Sequence, residues 1–397
     1  MSMALSEPVV GRMQPSVVAL LSTGAVLSTA FLLHRHLADQ PGGRALALSL
    51  FLGVLFGIFL QRSRFCFYCV SRDFLEQRDA RGLLGILAAL AVGTLGYHAV
   101  FGAFLPDPAP GRLPPGAHIG PVSAVLAGAA LLFGVGMALA GSCVSAQLYR
   151  LGEGVLTAPA ALLGTLLGFI LGLRVWNPLY LGYIQEAPVL WLPHLVGYEG
   201  SLALQLLSLG GLAVLLSLWH RSPPAPSSST PAWWQRRWPA HVGGLLIGGL
   251  AVVAFLRVQP LGVTSELGSL ARTLADRQAW LPERLEGLDS FRGCATAVKE
   301  TLWSHNGAFV VGLVLGALAA AVLAGDFRLQ RPTLSALLRN LLGGALMGMG
   351  AMLALGCTVG TLLSGIMAGA VSGWVFLLFA GVGLVMGWRV RRHTGWQ

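Results

Sequence analysis

Charge is scarce in this 397-residue chain: 11% of its residues are charged, against roughly a quarter in soluble domains. Acidic side chains are the scarcer kind, 16 Asp and Glu against 26 Lys and Arg. Cysteine is rare too, five in all, at positions 66, 69, 143, 294 and 357. Cys66 and Cys69 form a lone Cys-x-x-Cys pair, with no second pair or nearby histidine to complete a zinc site. The pair has no βαβ context, which excludes a thioredoxin-like motif. No Ser/His/Asp arrangement, phosphate loop or paired carboxylate site is visible. The sequence therefore predicts no metal, no cofactor and no catalytic residue, and the chain is read as not an enzyme. A cleavable signal peptide is also absent from the reading: the run from Val17 to Leu33 lacks a clean small-residue cleavage site and is followed by His34 and Arg35. Of nine histidines, His98 alone falls well inside a predicted span and is read as a packed residue.

Apolar residues and glycine are plentiful. Mean hydropathy is +0.71, 55% of residues are hydrophobic, and 53 are glycine. Most glycines lie within apolar runs, where small side chains let membrane helices approach closely. The composition predicts an all-α polytopic membrane protein of nine or ten spans plus re-entrant or broken helices. Stretches of about 20 apolar residues fall at 16–33, 45–61, 83–104, 121–141, 155–173, 201–219, 241–257, 306–324, 338–356 and 373–389. The net charge of +10 needs no nucleic-acid partner, because the arginines gather in short loops.

Those arginines predict orientation. Clusters at Arg62 to Arg81, at Arg150, at Arg221 with Arg236 and Arg237, at Arg328 with Arg331, and at Arg389 to Arg392 all land on one side. The positive-inside rule makes that side cytoplasmic and places both termini there, in a bacterial inner membrane. Arg35 and Arg44, in the first outward loop, run against the rule. Cytoplasmic placement argues against a Cys66–Cys69 disulfide. Residues 1–220 are read as one half of the membrane domain, the Pro/Ser-rich stretch 221–239 as a linker, and 240–397 as the second half. Segment 263–300 is dense in mixed charge and is read as a surface helix with its ends dipping into the membrane.

Two segments repeat. Phe133 to Cys143 (FGVGMALAGSC) and Met347 to Cys357 (MGMGAMLALGC) align cysteine on cysteine. Gly134 then falls on Gly348, Gly136 on Gly350, Leu139 on Leu353, and Leu148 on Leu362 beyond the cysteines. Five crossings separate the two segments, so they run in opposite directions, and an inverted repeat with a site near the midplane follows. Gly134, Gly136, Gly141, Gly348, Gly350 and Gly356 are the expected helix breaks, whose freed amides would face an anion. A buried cysteine is equally a small hydrophobe; Cys143 and Cys357 stand out through their matched positions. Arg62 and Arg64, beside Cys66, read either as an attractor for an anion or as a positive-inside anchor.

At these residues the sequence resembles the YeeE/YedE family of sulfur-compound permeases, whose characterised members take up thiosulfate. The matching features are Gly57 to Phe67 (GIFLQRSRFCF) with Arg72-Asp73-Phe74, and Gly136 to Cys143 leading to Tyr149 to Gly154. The second half adds Pro260 to Thr264 (PLGVT), Ala354 to Gly360 (ALGCTVG) and Ser372-Gly-Trp374. Some relatives are linked to selenium metabolism. The resemblance implies a pathway lined by three cysteines, mapped by order and context onto Cys143, Cys294 and Cys357, with Cys66 beside them. It also implies a soluble sulfur-carrier partner at the cytoplasmic face. Thiol chemistry suits such a pathway: a neutral S–H is a weak, soft donor that holds a thiosulfate dianion without trapping it. The rival reading is a membrane sulfurtransferase or redox protein that relays sulfane sulfur as a cysteine persulfide, and a third is a structural subunit of a larger complex.

Overall fold

The computed structural model describes residues 17–108, 112–221, 235–276, 281–282, 284–288, 296–299, 301, 303–329 and 331–394. Among them it contains helices and two isolated bridges, Pro121 with Val189 and Trp191 with Ala370, and no strand. Ten helical stretches are long and apolar enough to cross a membrane. Every predicted span is recovered. Most of linker 221–239, and Cys294, lie outside the described residues.

The helices are α1 (Val17–Ala38), α2 (Gly43–Ser63), α3 (Phe67–Gln77), α4 (Arg81–Phe104), α5 (Ala124–Ala140), α6 (Val144–Gly152), α7 (Ala158–Leu179) and α8 (Leu192–Trp219). They continue as α9 (Ala240–Arg257), α10 (Thr264–Ala275), α11 (His305–Ala324), α12 (Leu334–Leu353), α13 (Thr358–Met367) and α14 (Val371–His393). Side-chain caps fix several starts. Ser123 accepts from the amide of Leu126 at α5, Ser304 from Gly307 at α11, and Thr333 from Ala336 at α12. Each satisfies one of the orphan amides that open a helix. The first turn of α13, Thr358–Ser364, is wound as a π-helix, a form that recurs at functional sites.

Close glycine contacts assemble the core. On α12, a Cβ at Gly344 or Gly348 would stand 2.0 Å from the carbonyl oxygens of Ala161 and Thr165. On the facing α7, Gly164 and Gly168 meet the carbonyls of Leu341 and Ala345 at the same 2.0 Å. The backbones therefore touch, which is the purpose of small residues four apart in membrane helices. Gly53 and Gly57 of α2 mesh with Gly312 and Gly316 of α11 in the same way. The principal contacts pair α7 with α12, α2 with α11, α14 with α5, and α4 with α9. The outlying α1 is mostly exposed.

Two expectations change. Gly134, Gly136, Gly348 and Gly350 lie in unbroken stretches of α5 and α12 and serve packing: a Cβ at Gly134 would stand 2.2 Å from the Ala380 carbonyl, and one at Gly350 2.6 Å from that of Ala129. A helix interior tolerates glycine when a neighbour covers it, so the glycine pair marks contact, and the breaks fall further on. The charged segment 263–300 is also not a surface helix throughout. Within it α10 buries Leu267, Gly268 and Ala271, with Gly268 close against Phe169 of α7. Glu266 takes hydrogen bonds from Lys299 and Ser304, so part of the mixed charge is spent tying α10 to the start of α11.

Candidate functional site

Three spans break, and each break delivers a cysteine. The chain leaves α2 at Arg64, α5 at Gly141 and α12 at Ala354, then resumes helix at α3, α6 and α13. The residue two before each cysteine is left-handed: Arg64 at φ 49°, Gly141 at 72° and Leu355 at 55°. Glycine takes this region freely, but a side chain costs about 1–2 kcal/mol there, so tertiary contacts must hold Arg64 and Leu355 in place. Cys66, Cys143 and Cys357 are then the N-cap residues of the second half-helices. A fourth break separates α9 from α10 at Val258–Val263, where Pro260 has no amide to continue the helix.

These half-helix starts converge. The Sγ atoms of Cys66 and Cys143 are 4.0 Å apart, and Cys143 lies 3.2 Å from the Ser145 hydroxyl. Cys143, Ser145 and Thr358, the residue after Cys357, line the same small cavity, otherwise walled by apolar side chains such as Phe56, Phe65 and Leu362. Thr264, first residue of α10, reaches the Cys357 thiol, and the amides of Val359 and Gly360 lie against that sulfur. The amide of Ala146 lies against Cys143 in the same way. All three cysteines are buried. Cys66, Cys143 and Cys357 thus open α3, α6 and α13, and Thr264 opens α10, each helix start bringing the positive end of its dipole toward the thiols, a setting that attracts anions.

Two cavities approach this centre from opposite ends of α5, about 25 Å apart by helical rise. One is a narrow crevice between Ser123, His118, Leu355, Thr361 and Ser372. Burial pushes the His118 imidazole down to about 4, so it is neutral near pH 7. The other is a vestibule of about 1070 Å³, lined by seven arginines and four carboxylates. Arg64, Arg72, Arg150, Arg236 and Arg328 come from four different sequence clusters, so the structure gathers these at one mouth. Burial raises the Glu153 carboxyl there, and nearby Arg64 opposes the shift. Hydrogen bonds from Arg81 hold the Asp79 carboxyl below its usual range. Cys69, one helical turn from Cys66 on α3, lines this vestibule.

Arg62 and Arg64 part company. Arg62 is buried and donates to the Arg236 carbonyl at 2.6 Å and to Asp326 at 3.4 Å, so it anchors a loop. Arg64 lines the open vestibule. Asp326 also accepts from Gln61. Asp326→Ala leaves the Arg62 guanidinium without its carboxylate. The expected loss is about 2 kcal/mol, at the low end for a buried pair because Asp326 is one-third exposed, read as a lower thermal midpoint in detergent. Cys69 is the only described cysteine that is not fully buried. A charged maleimide is expected to label it before the buried cysteines, and that labelling is expected to be lost in Cys69→Ala.

A family profile described as sulphur transport matches residues 62–386. The chain belongs to that family. Among its relatives is the thiosulfate transporter TsuA of Spirochaeta thermophila, 30% identical over 341 residues that cover 83% of this chain and 94% of the relative. TsuA of Escherichia coli is 27% identical over 359 residues, 84% of this chain and 91% of the relative. The match takes in Cys66, Cys143 and Cys357 together with the arginine vestibule. His98, read as a packed residue, is buried between the Thr94 carbonyl at 2.9 Å and the Ser201 hydroxyl at 3.0 Å. From the sequence Thr264 enters only within the Pro260 to Thr264 motif and Arg150 only as a positive-inside residue, neither as a site residue. The signal for Thr264 is Pro260, four residues before it and unfavourable in a helix interior; Arg150 has none beyond the charge of its loop.

Proposed function

We propose that this chain takes up thiosulfate across the bacterial inner membrane, from the His118 crevice to the arginine vestibule, by way of Cys357, Cys143 and Cys66. The observation that carries the reading is that three buried cysteines each cap a half-helix, two of them with sulfurs 4.0 Å apart. A dianion entering that point meets dipole ends and amides in place of water. The thiols offer it weak S–H donors and polarisable sulfur. Weak successive contacts suit passage, because an ion bound too tightly does not leave. Beyond Cys66 the seven arginines lower the potential energy of the emerging anion and hold it near the mouth. The vestibule and the positive-inside pattern support a cytoplasmic position for that mouth and for both termini.

The packing supports two halves arranged as an inverted repeat. If α2, α4, α5 and α7 correspond to α9, α11, α12 and α14, then the α2–α11 contact maps onto α4–α9, and α7–α12 onto α5–α14. The vestibule also suits an acidic sulfur-carrier docking from the cytoplasm. Cys294 keeps its expected place on the pathway only through the family resemblance.

Purified protein in liposomes, given thiosulfate labelled on each sulfur separately, tests the transport reading. Both labels are expected inside in equal amounts. Sulfite released outside, with the sulfane label left on protein, would overturn transport in favour of sulfur transfer. No uptake from protein that is folded and inserted would favour a structural subunit.

A further inference from the structure

The face formed by α4, α8 and α14 carries an open, concave groove of about 900 Å³, near the upper end of small-molecule pockets at about 300–1000 Å³. Its walls are leucines of α4 and α8 with Leu378, Val382 and Met386 of α14. Leu378 is 62% and Met386 49% exposed, so no protein segment among the described residues covers them. The hydroxyl of Ser208, in the wall, is already spent on the Leu204 carbonyl at 2.8 Å. The groove therefore asks for hydrocarbon along its length.

One end asks for something else. Arg389 closes the groove; it is exposed and makes no hydrogen bond or ion pair among the described residues. No carboxylate lines the groove. From Trp374 to Arg389 the α14 axis climbs about 22 Å, which takes the groove from beyond the bilayer midplane to headgroup level in a hydrocarbon core of about 30 Å.

Gly381 supplies an independent sign. It lies in the groove, and a Cβ built on it meets nothing within 4 Å. Unlike Gly348, it is not required by helix contact. A glycine inside a helix costs roughly 0.5–1 kcal/mol relative to alanine, and here its effect is to keep the groove deep.

We propose that this groove is a binding site for one anionic phospholipid, with its acyl chains along α4, α8 and α14 and its phosphate on Arg389. Phe67 and Ile86 line both this groove and the cavity beside Cys143. The bound lipid thus lies one side-chain layer from the thiol centre and supports the wall between them. Charge complementarity selects a lipid over a second copy of the chain, because a protein surface seated there would bury Arg389 without an acid on this side to meet it.

The test uses the full chain and does not depend on transport. Protein equilibrated with mixed phosphatidylglycerol and phosphatidylcholine vesicles is extracted and weighed by native mass spectrometry. One retained phosphatidylglycerol per chain is expected, preferred about fivefold, the factor that corresponds to about 1 kcal/mol for one arginine near an anionic headgroup. Arg389→Gln is expected to abolish the preference while retaining some lipid. Gly381→Phe, which fills the groove where space is open, is expected to remove the bound lipid of either kind. Equal retention of the two lipids by the unaltered chain would overturn the site. So would an unchanged preference in Arg389→Gln, undiminished retention in Gly381→Phe, or a dimer that Gly381→Phe dissociates.

Discussion

Cys143→Ala is expected to reduce thiosulfate uptake into proteoliposomes to below about one-tenth of the unaltered rate, with normal amounts of inserted protein. Cys143 sits at the centre of the convergence, 4.0 Å from Cys66 and 3.2 Å from Ser145, where α6 begins. A hydrogen bond to a charged group is worth roughly 1.5–3 kcal/mol, and each 1.4 kcal/mol is tenfold. If the interaction is strongest at the narrowest point, its loss raises the barrier by that amount. Alanine fits the buried site without strain, so the fold has little reason to suffer. Cys357→Ala is expected to behave alike, whereas Cys69→Ala, in the wide vestibule, is expected to matter little. Cys143→Ser separates donor from softness: serine keeps a hydrogen-bond donor but loses polarisable sulfur. Full uptake by the serine variant would sink the argument from soft thiols, and full uptake by both alanine variants would sink the cysteine pathway altogether.

Gly348→Leu is expected to cause a large loss of stability beside a matched control. Its Cβ alone would stand 2.0 Å from the Thr165 carbonyl oxygen and 2.8 Å from the carbon. Those are backbone atoms, so no rotamer change relieves the clash, and α7 and α12 must move apart along their whole seam. Overpacking a core costs about 1–3 kcal/mol even where side chains give way; about 3 kcal/mol or more is expected here, seen as a lower thermal midpoint and little folded protein recovered. Gly128→Leu on α5 is the control. A Cβ there meets nothing within 4 Å, so a shift within about 0.5 kcal/mol is expected. Equal losses in the two variants would mean that the glycine seam does not hold these helices.

The two residues also show how far the sequence could be read. Apolar length alone located every span, because a bilayer of fixed thickness demands about 20 apolar residues per crossing. The paired glycines before Cys143 and Cys357 are visible as a repeat, but that they serve contact and not a break is not legible in it. Glycine permits either a break or a close contact, and only the neighbour decides between them. For Gly348 the neighbour is a carbonyl 183 residues earlier in the chain, at Thr165.

The breaks were harder still. They occur two residues before each cysteine, at Arg64, Gly141 and Leu355. Arginine and leucine do not favour φ near +50°, so no local preference announces the breaks at Arg64 and Leu355; Gly141, a glycine, is the one expected from the sequence. Packing over-determines the backbone there. The partnership of Cys66 with Cys143 was hidden for the same reason: 77 residues separate them, and only the folding of two broken spans against each other brings their sulfurs together.

Sequence by itself determined the all-α membrane class, the ten spans, the arginine clusters and the repeated cysteine segments. Each follows from residue chemistry summed over a local window. Tertiary structure alone decided that Cys66 meets Cys143 and Thr264 meets Cys357, that Arg62 is an anchor while Arg64 faces the vestibule, and that four loops pool their arginines at one mouth. These are distances between residues far apart in the chain, and they exist only once helix contacts at backbone range have fixed which spans stand side by side.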